Sequence, residues 1–234
     1  MHSCKNDQPC DIFALHGFLG LPSDWAQFTY IQHPVKLDNE GLDFSEWSKK
    51  FNNSLTKESK KKVLLGYSMG GRLGMHAVIA EPKKWHGAIF VSAHPGLISQ
   101  ADKAARFKAD QDWANKFLHC PWEALMKEWN SNPVFGNHSF PYPRTENSFD
   151  RNKLSKQLTN WSLGKQQSLI EMLKDTRVPM LVISGEGDSK FCQIAEEFSD
   201  FATVSIIPQA AHRVPWDQPA KFTTEIQKFI EGLL

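Results

Sequence analysis

Short apolar runs alternate with segments of helical spacing along most of the chain. The runs predicted as strands cover residues 12–15, 32–37, 62–65, 87–92, 180–184 and 204–207. Short apolar runs bounded by turn signals are typical of strands covered on both faces. Their alternation with helical segments predicts an α/β fold with a mostly parallel sheet flanked by helices.

Helical spacing is clearest at three places. Residues 69–80 follow the third strand, and Asp43-Phe44-Ser45-Glu46-Trp47 is typical of a helix start. In residues 220–234, the apolar positions recur at a helical period that predicts packing against the sheet: Phe222, Ile226, Phe229, Ile230 and Leu233. The basic run Lys60-Lys61-Lys62 is interpreted as a solvated helix end.

Between the fourth and fifth predicted strands the pattern changes. This long segment has helical spacing, no convincing strand, and many aromatic residues: Trp113, Phe117, Trp122, Trp129, Phe135 and Trp161. Such an insertion predicts a helical cap over the carboxyl ends of the strands, where open α/β sheets bind ligands. We therefore expect a core of residues 1–95 and 177–234 and a helical cap of residues 96–176 inserted between strands.

Composition narrows the functional classes. The 234 residues, 41% of them hydrophobic, suit one domain with an insertion. A net charge of +1 gives no electrostatic case for nucleic acid or a membrane surface. The N-terminal sequence MHSCKNDQPC has no apolar stretch that could serve as a signal peptide, and no stretch elsewhere approaches the roughly 20 apolar residues of a membrane span. We expect a cytoplasmic protein, monomeric or a small homo-oligomer, with a small-molecule substrate.

Cysteine and histidine spacing suggests no metal site. Cys4, Cys10, Cys120 and Cys192 lack the paired spacing of a zinc site, and we expect them to be reduced and structural. None of the nine histidines forms a helical ligand pair with a nearby carboxylate.

The sequence Gly66-Tyr67-Ser68-Met69-Gly70 places a serine between a predicted strand and a predicted helix. This is the G-x-S-x-G pattern of the nucleophile elbow of α/β hydrolases, where small flanking residues expose the serine hydroxyl on a strained turn. A βα turn that merely contains a serine remains the alternative for this pentapeptide alone.

A serine hydroxyl needs a histidine and an orienting carboxylate to act as a base or nucleophile. Asp188 follows the strand predicted at 180–184, and His212 follows the strand predicted at 204–207. The order Ser, Asp, His is the chain order of this fold. Asp188 is the favoured acid, with Glu186 as its competitor.

Two backbone N–H groups are also needed where negative charge develops on oxygen. One is expected from Met69, the residue after the serine. The other is expected from the loop His16-Gly17-Phe18 after the first strand, with Phe18 as the donor.

The chain resembles the 2-succinyl-6-hydroxy-2,4-cyclohexadiene-1-carboxylate synthases of menaquinone biosynthesis, which are α/β-hydrolase-fold lyases. The resemblance covers most of the chain. Its selective features are the arginine after the elbow glycines, HPGL with Arg106 downstream, and DSKF after the acid. The motifs that carry it are LHGFLG (15–20) with Trp25, GYSMGGR (66–72), SAHPGL (92–97), NPVF (132–135), SLGKQ (162–166) and GEGDSKF (185–191).

This resemblance implies a lyase that removes pyruvate from a polycarboxylate by proton abstraction and elimination, without a metal, a cofactor or an acyl-enzyme. The substrate would be 2-succinyl-5-enolpyruvyl-6-hydroxy-3-cyclohexene-1-carboxylate. The implied residues are Ser68, Asp188 and His212 as the triad, Phe18 and Met69 as oxyanion donors, Arg72, Arg106 and either Arg144 or Arg151 on carboxylates, and Tyr67 and Trp129 lining the pocket. The family has Ala-Gly-His before the catalytic histidine, whereas this chain has Ala210-Ala211-His212.

Arg72 also supports an anionic substrate from the residues themselves. It falls in the first turn after the elbow, and a guanidinium offers the planar pair of donors that suits a carboxylate. Two other functions stay open: a carboxylesterase or thioesterase of the same fold, with Ser68 as acyl nucleophile, and a non-catalytic binding protein. The intact serine, aspartate and histidine argue against the second.

Overall fold

The computed structural model describes residues 10–55, 61–136 and 140–234. Within these ranges, six parallel strands form one sheet in the order β2-β1-β3-β4-β5-β6. The strands are β1 Cys10–Leu15, β2 His33–Val35, β3 Lys61–Tyr67, β4 Gly87–Val91, β5 Met180–Gly185 and β6 Thr203–Ile207. The parallel α/β sheet predicted from the sequence is confirmed.

Helices precede or follow nearly every strand. They are α1 Phe44–Ser54, α2 Met69–Ala80, α3 Gln100–His119, α4 Trp122–Asn130, α5 Arg151–Asn160, α6 Ile170–Thr176, α7 Ser189–Glu196, α8 Val214–Asp217 and α9 Pro219–Gly232. Asp43 caps α1: its carboxylate accepts from the Glu46 N–H, and Glu46 accepts from the Asp43 N–H. This capping box explains why the helix begins where the sequence predicts.

Alternate strand residues build two apolar layers, one on each face of the sheet. Leu64 and Phe90 face α1 and α2, whereas Val63 and Ile89 face α9. Phe222 and Ile226 of α9 are fully buried in the second layer, with Phe229 packed beside them. The amphipathic C-terminal helix is thus confirmed.

Two local predictions differ from the structure. Residues 32–37 were expected to form a strand, but β2 covers only His33–Val35 at the sheet edge, where Pro34 lacks a donor for a further neighbour. The helix end expected at the basic run is wrong: Lys61 begins β3 and pairs with Cys10, and Lys62, which the strand predicted at 62–65 already included, pairs with Asp11. Lys60 and Cys4 lie outside the described residues.

The helices α3 to α6 occupy the chain between β4 and β5. Their aromatic and aliphatic side chains form a cluster with residues from the loop after β1, and the buried members of this cluster are Leu19, Ala114, Phe117, Trp122, Leu125, Leu154 and Leu158. The later part of the segment packs differently, because Trp161, Leu169 and Leu173 belong to the apolar layer beneath α2.

Across the described ranges, the helices are too short or too polar to cross a membrane. In the same ranges Cys120 and Cys192 are free thiols.

Candidate active site

Ser68 lies on the turn from β3 into α2 and has a strained backbone, with φ 52° and ψ −114°. Glycines at positions 66 and 70 make this turn possible, because neighbouring backbone atoms lie too close to them to leave room for a side chain. A Cβ at Gly70 would lie 2.4 Å from the carbonyl oxygens of Leu15 and His16, and one at Gly66 would lie 2.5 Å from the Gly71 Cα. The strain holds the hydroxyl out at the carboxyl end of the sheet.

A continuous hydrogen-bonded chain runs from Ser68 to Asp188. The His212 Nε2 lies 3.1 Å from the Ser68 Oγ, and the His212 Nδ1 lies 2.8 Å from the Asp188 Oδ2. His212 and Asp188 are each only 5% exposed. Glu186, the competing acid, instead accepts from the Gln209 N–H at the surface. This geometry lets His212 take a proton from Ser68 while Asp188 orients the ring.

The loop after β1 is held beside Ser68 by a buried histidine. His16 Nε2 accepts from the Leu37 N–H at 3.2 Å, so Nδ1 carries the proton and donates to the Gly17 carbonyl at 2.8 Å. Burial lowers the pKa of His16 to about 4, which favours this neutral form. His16 therefore fixes the backbone that precedes Phe18. On the other side, Met69 is the first residue of α2, where backbone N–H groups lack helical partners.

A cavity of about 430 Å³ opens in front of Ser68, and we call it the Ser68 chamber. Its wall includes Met69, Arg72, Arg106 and His212. Ser68 and His212 of the predicted triad thus meet two arginines and both residues predicted as oxyanion donors, Phe18 and Met69, at a single cavity, and Asp188 contacts the other ring nitrogen of His212.

Arg72 is 8% exposed, and its Nη1 donates to the Trp161 carbonyl at 2.6 Å. Among the described residues it forms no ion pair. Burial, reinforced by Arg106, lowers the pKa of Arg72 to about 9, so the group still carries its charge at neutral pH. The Arg106 Nε donates to Asp110 Oδ1 at 2.9 Å, and Asp110 in turn accepts from the Ser162 hydroxyl.

Arg144 and Arg151 are engaged by protein groups. The Arg144 guanidinium forms two hydrogen bonds to the buried Asp24 carboxylate, at 2.9 and 2.6 Å. Arg151 pairs with Glu146 and donates to the carbonyls of Phe117 and Cys120. The guanidinium of Arg144, expected to meet a substrate carboxylate, is therefore already neutralised by Asp24.

A second cavity of about 450 Å³ adjoins the first, and we call it the Arg213 chamber. Phe18, Tyr67, Trp129 and Phe135 line both chambers. Tyr67 and Trp129 thus lie at the pocket, as the sequence predicts. Burial raises the pKa of the Tyr67 phenol, so it stays a neutral hydroxyl.

Sequence reasoning missed several polar residues of these walls, three of which can carry a positive charge. His94 and Lys190 line the Ser68 chamber, and Arg213 lines the other. His94 and Lys190 stand inside the motifs HPGL and DSKF, and Arg213 directly follows the histidine of the triad, so position beside a motif was the available signal. His94 Nδ1 accepts from the Gly96 N–H at 3.1 Å, which leaves the proton of the neutral ring on Nε2.

The loop before His212 accommodates Ala211 where a glycine stands in the resembling family. Ala211 is not among the residues with positive φ, and its N–H donates to the Asp217 carboxylate at 2.9 Å. An alanine therefore fits this loop without strain. Within the described ranges, no three histidine, cysteine or acidic side chains cluster as metal ligands would.

Comparison with known proteins places this site in a family. The model of the alpha/beta hydrolase family matches residues 12–225. A 2-succinyl-6-hydroxy-2,4-cyclohexadiene-1-carboxylate synthase of Enterobacter sp. (strain 638) is 31% identical over 225 residues, covering 88% of this chain and 86% of the relative. The synthase of the same name from Serratia proteamaculans is 29% identical and covers 96% of this chain and 94% of the relative.

Solved structures share the fold. The one described as "Structure of MenH from S. aureus" has a TM-score of 0.87 at 22% identity and covers 99% of this chain and 97% of its own. A lipase-esterase related protein from Clostridium acetobutylicum has a TM-score of 0.65 at 16% identity, covering 95% of each chain. The chain belongs to the alpha/beta hydrolase family and, within it, to the 2-succinyl-6-hydroxy-2,4-cyclohexadiene-1-carboxylate synthases.

Proposed function

We propose that this protein eliminates pyruvate from 2-succinyl-5-enolpyruvyl-6-hydroxy-3-cyclohexene-1-carboxylate and gives 2-succinyl-6-hydroxy-2,4-cyclohexadiene-1-carboxylate. The observation that carries the proposal is the Ser68-His212-Asp188 chain opening into a chamber whose wall holds the buried Arg72 and the nearby Arg106. A serine base beside cations suits a polyanionic substrate, and the family relatives bear the name of this synthase.

The reaction begins with loss of the proton at C2, which is acidified by the adjacent succinyl ketone. His212 takes the Ser68 proton as the serine oxygen takes the C2 proton, and Asp188 stabilises the resulting imidazolium. The N–H groups of Phe18 and Met69 stabilise negative charge on the ketone oxygen. Ser68 acts as a base here and forms no covalent intermediate.

Elimination follows from the position of the double bond. The electrons of the C2–H bond form C2=C3, those of C3=C4 form C4=C5, and the C5–O bond breaks. The enolpyruvate that leaves takes up one proton and becomes pyruvate, so the atoms balance. Arg72 and Arg106 hold the ring carboxylate and the enolpyruvyl carboxylate through charge-assisted hydrogen bonds.

We also propose that residues 96–176 act as a cap on a core of residues 1–95 and 177–234. The cap supplies Arg106 and Trp129 to the chamber wall, which supports a role in holding substrate and excluding water. Deleting residues 96–176 also removes Trp161, Leu169 and Leu173 from the apolar layer beneath α2 and should abolish pyruvate release. Full activity of the remaining chain would refute the role of the cap.

Replacing the serine tests whether Ser68 is needed for elimination, and a search for an acyl adduct distinguishes a base from a nucleophile. Ser68→Ala should fold normally and lose pyruvate release by roughly 10³-fold or more, since a triad acts as a unit. The exposed Ser199, replaced by alanine, is the control and should keep full activity. Mass spectrometry of the wild type during turnover should find no acyl adduct on Ser68. An acyl-enzyme with a neutral ester, together with no pyruvate release, would support the esterase alternative instead.

A further inference from the structure

Arg213 is a buried cation without a carboxylate partner. It is 6% exposed, and among the described residues it makes no ion pair. Its Nη2 donates to the Asn130 side-chain oxygen at 2.7 Å, and its guanidinium carbon lies 3.8 Å from the centre of the Phe135 ring and 5.1 Å from that of Phe140. Amide and ring contacts orient the group, but among the described residues no carboxylate is in contact with it.

The charges around Arg213 favour an anion. Arg144 contacts the same Phe140 ring, but its charge is balanced by Asp24. Asp217 attracts the Arg213 charge without forming an ion pair with it, and it does not line the chamber. Its carboxylate accepts a hydrogen bond from the Ala211 N–H. Among the residues that the structure describes, the charged ones that line the Arg213 chamber are Arg213, Arg144 and Asp24, and their formal charges sum to one positive charge. A buried guanidinium is stabilised when a carboxylate meets its remaining donors.

The position of the chamber relates it to the reacting ketone. Gly17, Phe18 and Gly20, from the loop that is to stabilise the ketone oxygen, line the Arg213 chamber. With that oxygen at the Phe18 N–H and the ring facing Ser68, the rest of the succinyl chain has to leave on the side of Phe18. That side opens into the Arg213 chamber. The carboxylate that ends the succinyl chain is two methylene groups away from the ketone and would lie in this chamber.

We infer that Arg213 binds the terminal carboxylate of the succinyl chain and that the Arg213 chamber is the subsite for this chain. The inference rests on the proposed function and deepens it. The carboxylate of the succinyl chain is then bound by Arg213, the residue directly after His212. The sequence analysis expected Arg144 or Arg151 of the cap in this role. Arg213 is accordingly a specificity-determining residue for substrates that carry this tail.

Two variants remove the free charge in different ways. Arg213→Gln removes the cation itself. Asn130→Asp keeps the cation and the contact between the two side chains, but supplies a carboxylate at the place of the amide oxygen. Both should abolish tail recognition. If Arg213 serves only to tie α4 to the loop after β6, Asn130→Asp should instead bind as the wild type does. Arg177→Gln, at an exposed site, is the matched control.

The probes are a stable aromatic dicarboxylate, 2-(3-carboxypropanoyl)benzoate, and its methyl ester at the propanoyl carboxylate. Calorimetry should give a dissociation constant about 10- to 100-fold lower for the diacid than for the ester in the wild type and in Arg177→Gln. In Arg213→Gln and Asn130→Asp this preference should fall to about twofold or less, and Arg213→Lys should restore part of it.

A preference that survives in either Arg213→Gln or Asn130→Asp would overturn the inference. Pyruvate release by the wild type is measured in parallel. If pyruvate is released while the preference is insensitive to Arg213, the inference fails and the proposed function stands. If no pyruvate is released, the proposed function fails, and the probe preference still decides whether Arg213 recognises a carboxylate.

Discussion

Arg72 shows how a single buried side chain can indicate the charge of a substrate. The sequence places it one helical turn after Ser68, and the structure buries it with a carbonyl partner but, among the described residues, no carboxylate. Leaving a guanidinium in this state is unfavourable unless a ligand completes its hydrogen bonds. The position of Arg72 was predictable from the sequence, because a residue four positions after Ser68 of the G-x-S-x-G motif lies one turn into the helix that follows.

Replacing Arg72 should therefore weaken elimination selectively. Arg72→Gln is expected to lower kcat/KM for pyruvate release by roughly 10- to 100-fold, since a hydrogen bond to a charged group contributes about 1.5–3 kcal/mol. Arg72→Lys keeps the charge without the planar fork and should recover part of the loss. Hydrolysis of a small neutral ester serves as the control and should change by about twofold. An equal fall in both activities would mean that Arg72 only supports the fold.

His76 gives a stability prediction with a definite sign. It stacks on Phe44, and burial, reinforced by Arg72, lowers its pKa to about 4 from 6.5. Protonation therefore favours the unfolded chain, so the free energy of unfolding should fall as pH drops from about 6.5 towards 4. His16 and His94, whose pKa values burial also lowers to about 4, should add to this fall.

The contribution of His76 can be isolated with His76→Leu. Urea unfolding from pH 7.5 to 4 should show a shallower pH dependence in this variant, by up to about 1.4 kcal/mol per pH unit for one proton. Above pH 7 the two proteins should run parallel. Identical slopes at acid pH would contradict the assignment.

At the scale of elements, the ion pair between Asp24 and Arg144 connects two distant parts of the chain. Asp24 belongs to the turn Pro22–Trp25 after β1, and Arg144 lies in the segment before α5. Their side chains are only 2% and 11% exposed. The sequence could not reveal this pair, since neither the 120-residue separation nor a local pattern marks it.

Breaking the ion pair between Asp24 and Arg144 should lower the free energy of unfolding far more than breaking an ion pair at the surface. Arg144→Met leaves a buried carboxylate without its cation and should lower the free energy of unfolding by about 3–5 kcal/mol. Lys108→Met, which removes the exposed pair with Asp112, is the control and should cost less than about 1 kcal/mol. Equal, small losses in both variants would show that Asp24 does not depend on Arg144.

Elements were predictable where an apolar period was long enough to fix them. The buried strands and the helix α9 follow directly from such periods. The edge strand β2 and the short helix α8 do not, because an edge strand has one neighbour and a four-residue helix has no period. The basic run before β3 was misinterpreted for a similar reason, since the charged start of a strand resembles the charged end of a helix.

For the whole molecule, the parallel sheet brings three distant sequence motifs to one edge. Ser68, Asp188 and His212 each follow a strand, so their meeting was predictable from chain order and strand polarity. The second chamber was not, because it depends on how the segment between β4 and β5 packs over the loop after β1. Sequence periodicity carries no information on such packing. The chamber that Arg213 lines could therefore not be predicted from the sequence.

The two chambers together suit a substrate with carboxylates at both ends. Arg72 and Arg106 mark the Ser68 chamber, Arg213 marks its neighbour, and an aromatic wall of Phe18, Tyr67, Trp129 and Phe135 lies between. This distribution favours elimination from a large polycarboxylate over hydrolysis of a small neutral ester.

The most direct test compares the two reactions on one preparation of the wild-type protein. Pyruvate release from 2-succinyl-5-enolpyruvyl-6-hydroxy-3-cyclohexene-1-carboxylate is followed beside hydrolysis of a p-nitrophenyl ester. The account predicts one pyruvate per diene formed, kcat/KM in the enzymatic range of roughly 10⁴–10⁸ M⁻¹ s⁻¹, and much slower ester hydrolysis without a burst. Burst kinetics with the ester, and pyruvate release no faster than in buffer, would contradict it.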